Sequence, residues 1–281
     1  MSLPSRRDAI AGTAGVLLTS AAHVRSQAST GRLKQSVCRW CYAKIPLPEF
    51  CKAVAGMGLT AIDLLTEKEW PIAADHGLIC SMGSGAGGSI ADGFNVRANH
   101  DKLVASLERA LPIAAARKVP NLITFFGNRR GMPDDEAIAN CVEGLNRLKK
   151  AAEETGVTIC LELLNSKVDH KDYHGDKSAF GLAVVKAVNS PRVRLLYDIY
   201  HMQIMEGDVI RTIRDNREYF THFHTGGVPG RHELDDTQEI QWRSVARAIA
   251  DTGFQGYFAH EFIPVREPLA SLREAVALCD V

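Results

Sequence analysis

Apolar and polar positions along the chain alternate between two spacings in a regular order. Short apolar runs recur, and most of them precede a segment with apolar residues three and four positions apart. The first pattern is typical of buried strands and the second of amphipathic helices. Strands are predicted at 36–42, 61–65, 78–82, 121–126, 157–161, 193–197, 219–223 and 257–259. Helices are predicted at 47–57, 101–118, 134–155, 180–188, 208–215, 241–251 and 268–278.

This alternation predicts an α/β fold with a parallel sheet. Eight such units without an evident linker favour a single (β/α)8 TIM barrel over residues 29–281. The rival architecture, a doubly wound open sheet, usually has a glycine-rich phosphate turn after its first strand. Here that strand is followed by Cys41-Tyr42-Ala43-Lys44. The glycine-rich stretch 83–88 lacks the Lys-Ser/Thr of a P-loop, so we expect it to be a mobile loop of the barrel.

Composition narrows the class of protein without defining an activity. The 281 residues include 33 basic and 33 acidic ones and are 46% hydrophobic, which excludes a disordered, collagen-like or coiled-coil chain. A formal net charge of zero gives no electrostatic reason to expect nucleic acid as a partner. Seven cysteines are too few for a disulfide scaffold, and most are expected to be core thiols. We expect Cys38 and Cys41 to contribute to packing on opposite faces of the first strand rather than to redox chemistry.

The first 28 residues have the pattern of an export signal. Arg6 and Arg7 precede an apolar run at 10–22, and Ser26-Gln27-Ala28 has the small-x-small form of a cleavage site. The apolar run is shorter than the roughly 20 residues that span a bilayer. We expect no stable membrane anchor once the signal segment is removed. The segment resembles a twin-arginine signal. We therefore expect a periplasmic protein that is exported already folded, with any cofactor bound before export.

Polar residues close the last four predicted strands. These residues are Glu162, Asp198, His224 and Glu261. Because the carboxyl ends of barrel strands meet at one mouth, we expect the four side chains to converge. Three carboxylates close together repel one another unless a cation lies among them. The set therefore predicts one divalent metal ion, Mn²⁺, Mg²⁺, Co²⁺ or Zn²⁺. His222 shares a strand face with His224, but His224 is nearer the strand end and is the preferred ligand.

Several of these segments resemble the xylose-isomerase-like TIM-barrel superfamily, and within it the hydroxypyruvate isomerase branch. The resemblance covers about 36–278. It rests on Leu161-Glu162-Leu163-Leu164-Asn165, Tyr197-Asp198-Ile199-Tyr200-His201-Met202-Gln203, His222-Phe223-His224, Pro229-Gly230-Arg231, Glu239-Ile240 and Glu261-Phe262.

The resemblance implies a role for each of six residues. Glu162, Asp198, His224 and Glu261 would hold the metal ion, and Glu162 and Glu261 would also serve as the acid/base pair. His201 and Arg231 would bind substrate oxygen atoms. The implied activity is aldose–ketose isomerisation of a small hydroxy-carbonyl compound or sugar by proton transfer through an enediolate. The resemblance leaves homo-oligomer formation open.

Other activities remain open from the sequence. Hydroxypyruvate isomerases often carry Gln where this chain has His224, whereas ketose 3-epimerases carry His. A ketose 3-epimerase and a keto-sugar lyase share the first proton transfer with an isomerase, so the metal site does not separate them. A non-catalytic periplasmic sugar-binding protein and an abasic-site endonuclease are further alternatives; the endonuclease would need more metal ligands and a basic groove. Trp40 and Trp70 are expected either to stack on a sugar or to pack at the rim.

Overall fold

The computed structural model describes residues 31–281, and strands and helices alternate along them. The strands are β1 (Lys34–Cys38), β2 (Ala61–Asp63), β3 (Leu65–Thr66), β4 (Ile79–Cys80), β5 (Gly83–Gly87), β6 (Asn121–Thr124), β7 (Thr158–Leu163), β8 (Val193–Asp198), β9 (Phe220–Thr225) and β10 (Tyr257–His260). The helices are α1 (Leu47–Gly56), α2 (Trp70–Ala74), α3 (His100–Ala116), α4 (Asp134–Thr155), α5 (Ser178–Val188), α6 (Ile199–Met205), α7 (Val209–Asp215), α8 (Trp242–Asp251) and α9 (Pro268–Cys279). The predicted export signal at 1–28 lies outside the described residues.

The ten strands form one parallel sheet that closes into a barrel. Its order is β3-β5-β6-β7-β8-β9-β10-β1-β2-β4. Leu64 separates β2 from β3, and its N–H donates to the carbonyl of Met82, which lies between β4 and β5. The two pairs of short strands therefore occupy two of eight barrel positions. This confirms the predicted single (β/α)8 barrel.

The glycine-rich stretch is a strand rather than the predicted mobile loop. Gly83–Gly87 forms β5, which pairs with β3 and β6. At Gly83 an added Cβ would lie 2.7 Å from the Leu122 side chain, and at Gly87 it would collide with the Ile123 carbonyl. Glycines usually weaken strands, which explains the wrong prediction. Here they let β5 lie against its neighbours where no side chain fits.

The first strand is shorter than predicted. It ends at Cys38, and residues 39–42 form a turn of 3-10 helix. The Arg39 guanidinium stabilises this turn by donating to the carbonyls of Tyr42 at 2.5 Å and Ile45 at 2.9 Å. Cys41 is therefore not on the sheet, and the predicted strand alternation of Cys38 and Cys41 is wrong. The turn places the side chain of Trp40 at the barrel mouth.

Helices α2 and α6 were not predicted, and both are short. The carboxylate of Asp198 caps α6 by accepting from the backbone N–H of His201 at 3.1 Å. Outside the barrel the helices pack on the sheet in one continuous apolar core. Inside it, a separate apolar cluster is formed by Met82, Ile123, Cys160 and Leu196.

All seven cysteines of the described chain are free thiols. Five of them are buried core thiols, as predicted: Cys51, Cys80, Cys141, Cys160 and Cys279. Between residues 31 and 281, no helix combines the length and the apolar character needed to cross a bilayer.

Candidate metal centre

The four residues predicted to close the last strands lie together at the barrel mouth. Glu162 is in β7, Asp198 ends β8, His224 is in β9 and Glu261 follows β10 directly. In the sheet register Asp198 pairs with His224, which brings these two side chains to the same level of the barrel. Each residue offers one ligand atom, and the four atoms lie within 4.8 Å of one another.

Distances within the cluster suit a divalent cation. Nδ1 of His224 lies 2.6 Å from Glu261 Oε2, 3.2 Å from Glu162 Oε1 and 3.9 Å from Asp198 Oδ2. All four side chains are buried. Nδ1 of His224 is buried without a well-aligned hydrogen-bond partner, although it faces three carboxylates. An imidazole nitrogen and three carboxylate groups, all directed at one point, fit a metal such as Mn²⁺, Mg²⁺, Co²⁺ or Zn²⁺.

Arg231 lies against the same cluster. Its Nη2 is 3.0 Å from Asp198 Oδ2 and 2.5 Å from Glu261 Oε2, and its Nε donates to the backbone carbonyl of Glu261. Its guanidinium also stacks between the rings of Trp40, at 5.4 Å, and Tyr200, at 5.0 Å. Arg231 is therefore a fixed positive charge at the edge of the carboxylate cluster.

Burial and neighbouring charges shift the pKa values of two carboxyls in opposite directions. Burial raises the pKa of Asp198 to about 7; Arg231 opposes this shift, and Glu261 adds to it. For Glu261, burial also acts to raise the pKa. The positive charges of Arg231 and His224 outweigh it and hold the Glu261 pKa well below its usual range. Glu261 is therefore the carboxyl that these surroundings keep ionised.

Glu261 is also held at both oxygen atoms. Trp40 donates its indole N–H to Oε1 at 2.6 Å, while Arg231 contacts Oε2. Trp40 thus acts through a hydrogen bond to a carboxylate, in addition to lining the mouth as predicted. The expectation for Trp70 is wrong: it is buried in the core, where its indole N–H donates to the Leu65 carbonyl, and it does not line the pocket.

Asp63, which the sequence analysis missed, orients the histidine of the cluster. Its Oδ2 lies 2.8 Å from His224 Nε2 and 3.1 Å from His222 Nε2. Burial acts to raise the pKa of Asp63, but the charges and hydrogen bonds of His222 and His224 lower it below its usual range. With one proton on Nε2 directed at Asp63, a bound metal ion would take the place of the proton on Nδ1. Asp63 ends the strand β2, so the strand-end rule applied to this strand could have found it.

His201 is fully buried beside Arg231. Its Nε2 is 3.1 Å from Arg231 Nη1, and its Nδ1 is 2.7 Å from the side-chain amide of Asn165. Burial, with the nearby charge of Arg231, lowers the pKa of His201 well below its usual value. The structure thus places both predicted substrate-binding residues beside the four predicted ligands.

A pocket of about 440 Å³ opens in front of the cluster. It is lined by Trp40, Leu64, Ser84, Gly85, Gly88, Ile90, Ile123, Phe125, Glu162, Leu164, His170, Arg231 and Glu261. A larger cavity, about 520 Å³, lies at the opposite end of the barrel, among residues that begin strands, and contains none of these carboxylates. In the part of the chain that the structure describes, the other group able to hold a metal is Cys38, Asp63 and His224, and it shares His224.

Comparison with known proteins agrees with this architecture. The model of a family described as xylose isomerase-like TIM barrel matches residues 52–280. A Mus musculus protein named as a hydroxypyruvate isomerase is 25% identical over 245 residues, which is 80% of this chain and 87% of that protein. The D-psicose 3-epimerase of Ruminiclostridium cellulolyticum is 34% identical over 119 residues, which is 41% of this chain and 38% of that protein.

Among solved structures, an AP endonuclease of family 2 from Brucella melitensis superimposes with a TM-score of 0.76. It is 21% identical, and the match covers 85% of this chain and 97% of that structure. At this identity the likeness concerns the fold alone.

Proposed function

The chain belongs to the xylose isomerase-like TIM barrel family, and on that premise we propose that it is a divalent-metal-dependent isomerase. The proposed reaction moves a proton next to the carbonyl group of a small hydroxy-carbonyl compound or sugar. The observation that carries the proposal is the convergence of Glu162, Asp198, His224 and Glu261 at the barrel mouth. Relatives over most of the chain are named as isomerases, which supports the same class of reaction.

Glu162, Asp198 and Glu261 would hold the metal through carboxylate oxygens, and His224 would hold it through Nδ1. The bound cation supplies positive charge that stabilises the negative charge developing on substrate oxygen atoms. Asp63 fixes the orientation of the His224 ring through Nε2. Arg231 keeps two of the carboxylates, Asp198 and Glu261, in place.

Glu162 and Glu261 both line the pocket and are the proposed acid/base pair. One glutamate, as the carboxylate, would accept the carbon-bound proton as the substrate becomes an enediolate. The other, as the carboxylic acid, would give its proton to the neighbouring carbon while the hydroxyl proton passes to the former carbonyl oxygen, and proton exchange with water would restore both glutamates. Glu261 is the proposed acceptor because Arg231 and Trp40 fix the orientation of its carboxylate at the pocket wall. A positioned base of this kind contributes roughly 10²–10⁴-fold to the rate.

His201 and Arg231 would bind the oxygen atoms of the substrate. Arg231 carries a permanent charge at the pocket wall, and His201 lies behind it at 3.1 Å. Together they would hold the carbonyl and hydroxyl oxygens so that the substrate carbon lies between the two glutamates.

3-Epimerisation is the second candidate, and His224 favours it because this position resembles the ketose 3-epimerases. The D-psicose 3-epimerase relative adds support over the part of the chain that it matches. An epimerase would return the proton to the opposite face of the same carbon.

We also propose that residues 1–28 direct the protein to the periplasm by the twin-arginine route, on the basis of Arg6, Arg7 and the apolar run behind them.

The experiment that separates these activities is deuterium exchange in D₂O with Mn²⁺ or Mg²⁺ present, followed by NMR. The substrates are hydroxypyruvate, small ketoses and 3-keto-sugars. Metal-dependent exchange is expected, and the labelled carbon distinguishes an isomerase from an epimerase or a lyase. Binding of a sugar without exchange, with the metal confirmed bound, would contradict the proposal and favour a binding protein.

A further inference from the structure

The pocket in front of the metal centre has two chemically different sides. On one side, at β7 and after β9 and β10, lie the polar groups of Glu162, His170, Arg231 and Glu261, with Trp40 stacked on Arg231. The other side, which follows the sheet order from β3 to β7, is an apolar wall formed by Leu64, Ile90, Ile123, Phe125 and Leu164. A substrate held by its oxygen atoms on the polar side would therefore extend its remaining atoms along the apolar wall.

The apolar wall is fixed by packing inside the barrel. Ile123 belongs to the internal cluster with Met82, Cys160 and Leu196, and Leu64 and Phe125 pack against that cluster while remaining partly exposed to the pocket. The backbone of Leu64 is in the left-handed region, with φ of 57°, and its N–H is bonded to Met82. The part of the wall formed by Leu64, Ile123 and Phe125 is thus fixed by the barrel, and Ile90 extends it from the loop after β5.

Polar partners are scarce along this side of the pocket. Ser84 is the polar side chain next to the wall, and its hydroxyl already donates to the carbonyl of Leu64 at 3.1 Å. Gly85 and Gly88 offer only backbone N–H and C=O groups, and both residues are exposed to water rather than part of the wall. Sugar hydroxyls placed against the wall would lose water without gaining a partner, which costs about ten-fold in affinity for each group.

The size of the pocket points the same way. Its volume of about 440 Å³, in a pocket that opens to solvent, exceeds what a three-carbon acid fills. A molecule as small as hydroxypyruvate would occupy the polar side and leave the apolar wall without contacts. Filling the wall requires a substrate with a second, apolar part.

We propose that the substrate of this site combines a hydroxy-carbonyl head with an apolar body, an aryl or alkyl group, that lies on the apolar wall. The inference rests on the proposed function, because the head must reach Glu162 and Glu261, and it specifies the class of substrate. Polyhydroxylated chains of the same length are then the poorer substrates.

Three ketones with the same reacting HO–CH₂–C(=O)– unit test the inference in Mn²⁺-loaded protein. They are 1-hydroxypropan-2-one, ribulose and 1-hydroxy-4-phenylbutan-2-one. We expect kcat/KM for deuterium exchange at the hydroxymethyl carbon to be at least about ten-fold higher for the phenyl ketone than for the other two. Equal or faster exchange of ribulose would overturn the inference and leave the proposed proton transfer intact. Absence of metal-dependent exchange on all three would overturn both.

Two substitutions in the apolar wall test whether its side chains cause the preference for the phenyl ketone. Leu64→Asn makes the wall polar, and Asn tolerates the left-handed backbone; Ile90→Asn does so from the partly exposed loop after β5. We expect each to lower the ratio of phenyl ketone to hydroxypropanone rates about ten-fold. Val168→Asn is the matched control, because Val168 is 62% exposed and lies off the pocket lining. Because Ile90 is partly exposed, Ile90→Asn is the variant that the fold should tolerate better. An unchanged ratio in the wall variants that fold would overturn the assignment of the wall.

Discussion

Nε2 of His224 lies 2.8 Å from Oδ2 of Asp63, on the side of the ring opposite to the carboxylate cluster. One nitrogen of the ring is thereby committed to a buried carboxylate of β2, and the other is directed at Glu162, Asp198 and Glu261. Carboxylate–histidine pairs of this kind set the ring orientation and the basicity of a metal ligand.

Replacement of Asp63 by Asn should weaken metal binding while keeping the shape of the site. The neutral amide no longer stabilises a proton on His224 Nε2, so we expect Mn²⁺ affinity to fall about 10–100-fold. Titration calorimetry on EDTA-treated protein measures this. Asp92→Asn, at an exposed aspartate, is the control and should bind as the unmodified protein does. Equal affinities in the two variants would remove Asp63 from the account.

Trp40→Phe should slow the reaction with little effect on folding. The substitution removes the indole N–H that holds Glu261 Oε1 at 2.6 Å, and a hydrogen bond to a charged group contributes about 1.5–3 kcal/mol. The rate of deuterium exchange should fall about ten-fold or more, while the melting temperature stays close to that of the unmodified chain because Trp40 is 43% exposed. Val265→Ala, another exposed apolar position, should leave the rate unchanged. A rate loss of the same size in both variants would argue against a specific role of the indole.

Gly87→Ala should destabilise the barrel, because the added Cβ collides with the Ile123 carbonyl in the neighbouring strand β6. We expect a loss of at least about 2 kcal/mol in the free energy of unfolding, measured with urea. Gly56→Ala is the matched control: nothing lies within 4 Å of its added Cβ, and it ends α1, so a neutral or slightly stabilising effect is expected. If Gly87→Ala were as stable as Gly56→Ala, β5 would not lie as close to β6 as the structure has it.

Glu233 should make stability depend on pH in the acidic range. Burial acts to raise its pKa, but the backbone N–H groups of Val265 and Arg266 and the hydroxyl of Ser271 bond to the carboxylate and lower it. The pKa of Glu233 in the folded state therefore lies below its pKa in the unfolded chain. The stabilisation by the ionised carboxylate is complete at pH values above the unfolded-state pKa, and it is lost as the pH falls through the folded-state pKa.

The measurement is the free energy of unfolding from pH 7 to pH 3 for Glu233→Gln and for the exposed Glu108→Gln. At pH 7 we expect the first substitution to cost about 1–2 kcal/mol and the second almost nothing. The cost of Glu233→Gln should shrink as the pH falls. A cost that is constant over the range would show that the charge of Glu233 contributes nothing.

Local pattern was enough to predict most of the barrel and the members of the candidate site. The helix at 134–155 was predicted with its observed bounds because its apolar spacing and the terminal Gly156 are local features. Glu162, Asp198, His224 and Glu261 could be found because parallel strands bring their carboxyl ends to one mouth.

The features that could not be predicted from the sequence depend on contacts between distant segments of the chain. The strand at Gly83–Gly87 depends on the close approach of β6, and nothing in a run of glycines indicates that neighbour. Asp63 acquires its role from His222 and His224, which lie across the barrel in β9. The pairing of Arg231 with Asp198 and Glu261 likewise depends on how the loop after β9 folds back over the mouth.

In the proposed function, proton transfer requires one divalent ion held by Glu162, Asp198, His224 and Glu261. The most direct test is the initial rate of deuterium exchange into a substrate as Mn²⁺ is added to EDTA-treated protein. We predict no exchange without metal and a rise to a plateau at one Mn²⁺ per chain, and we predict no exchange at any Mn²⁺ concentration in an Asp198→Ala variant. Exchange that is independent of added metal, or that persists in Asp198→Ala, would contradict the proposed function.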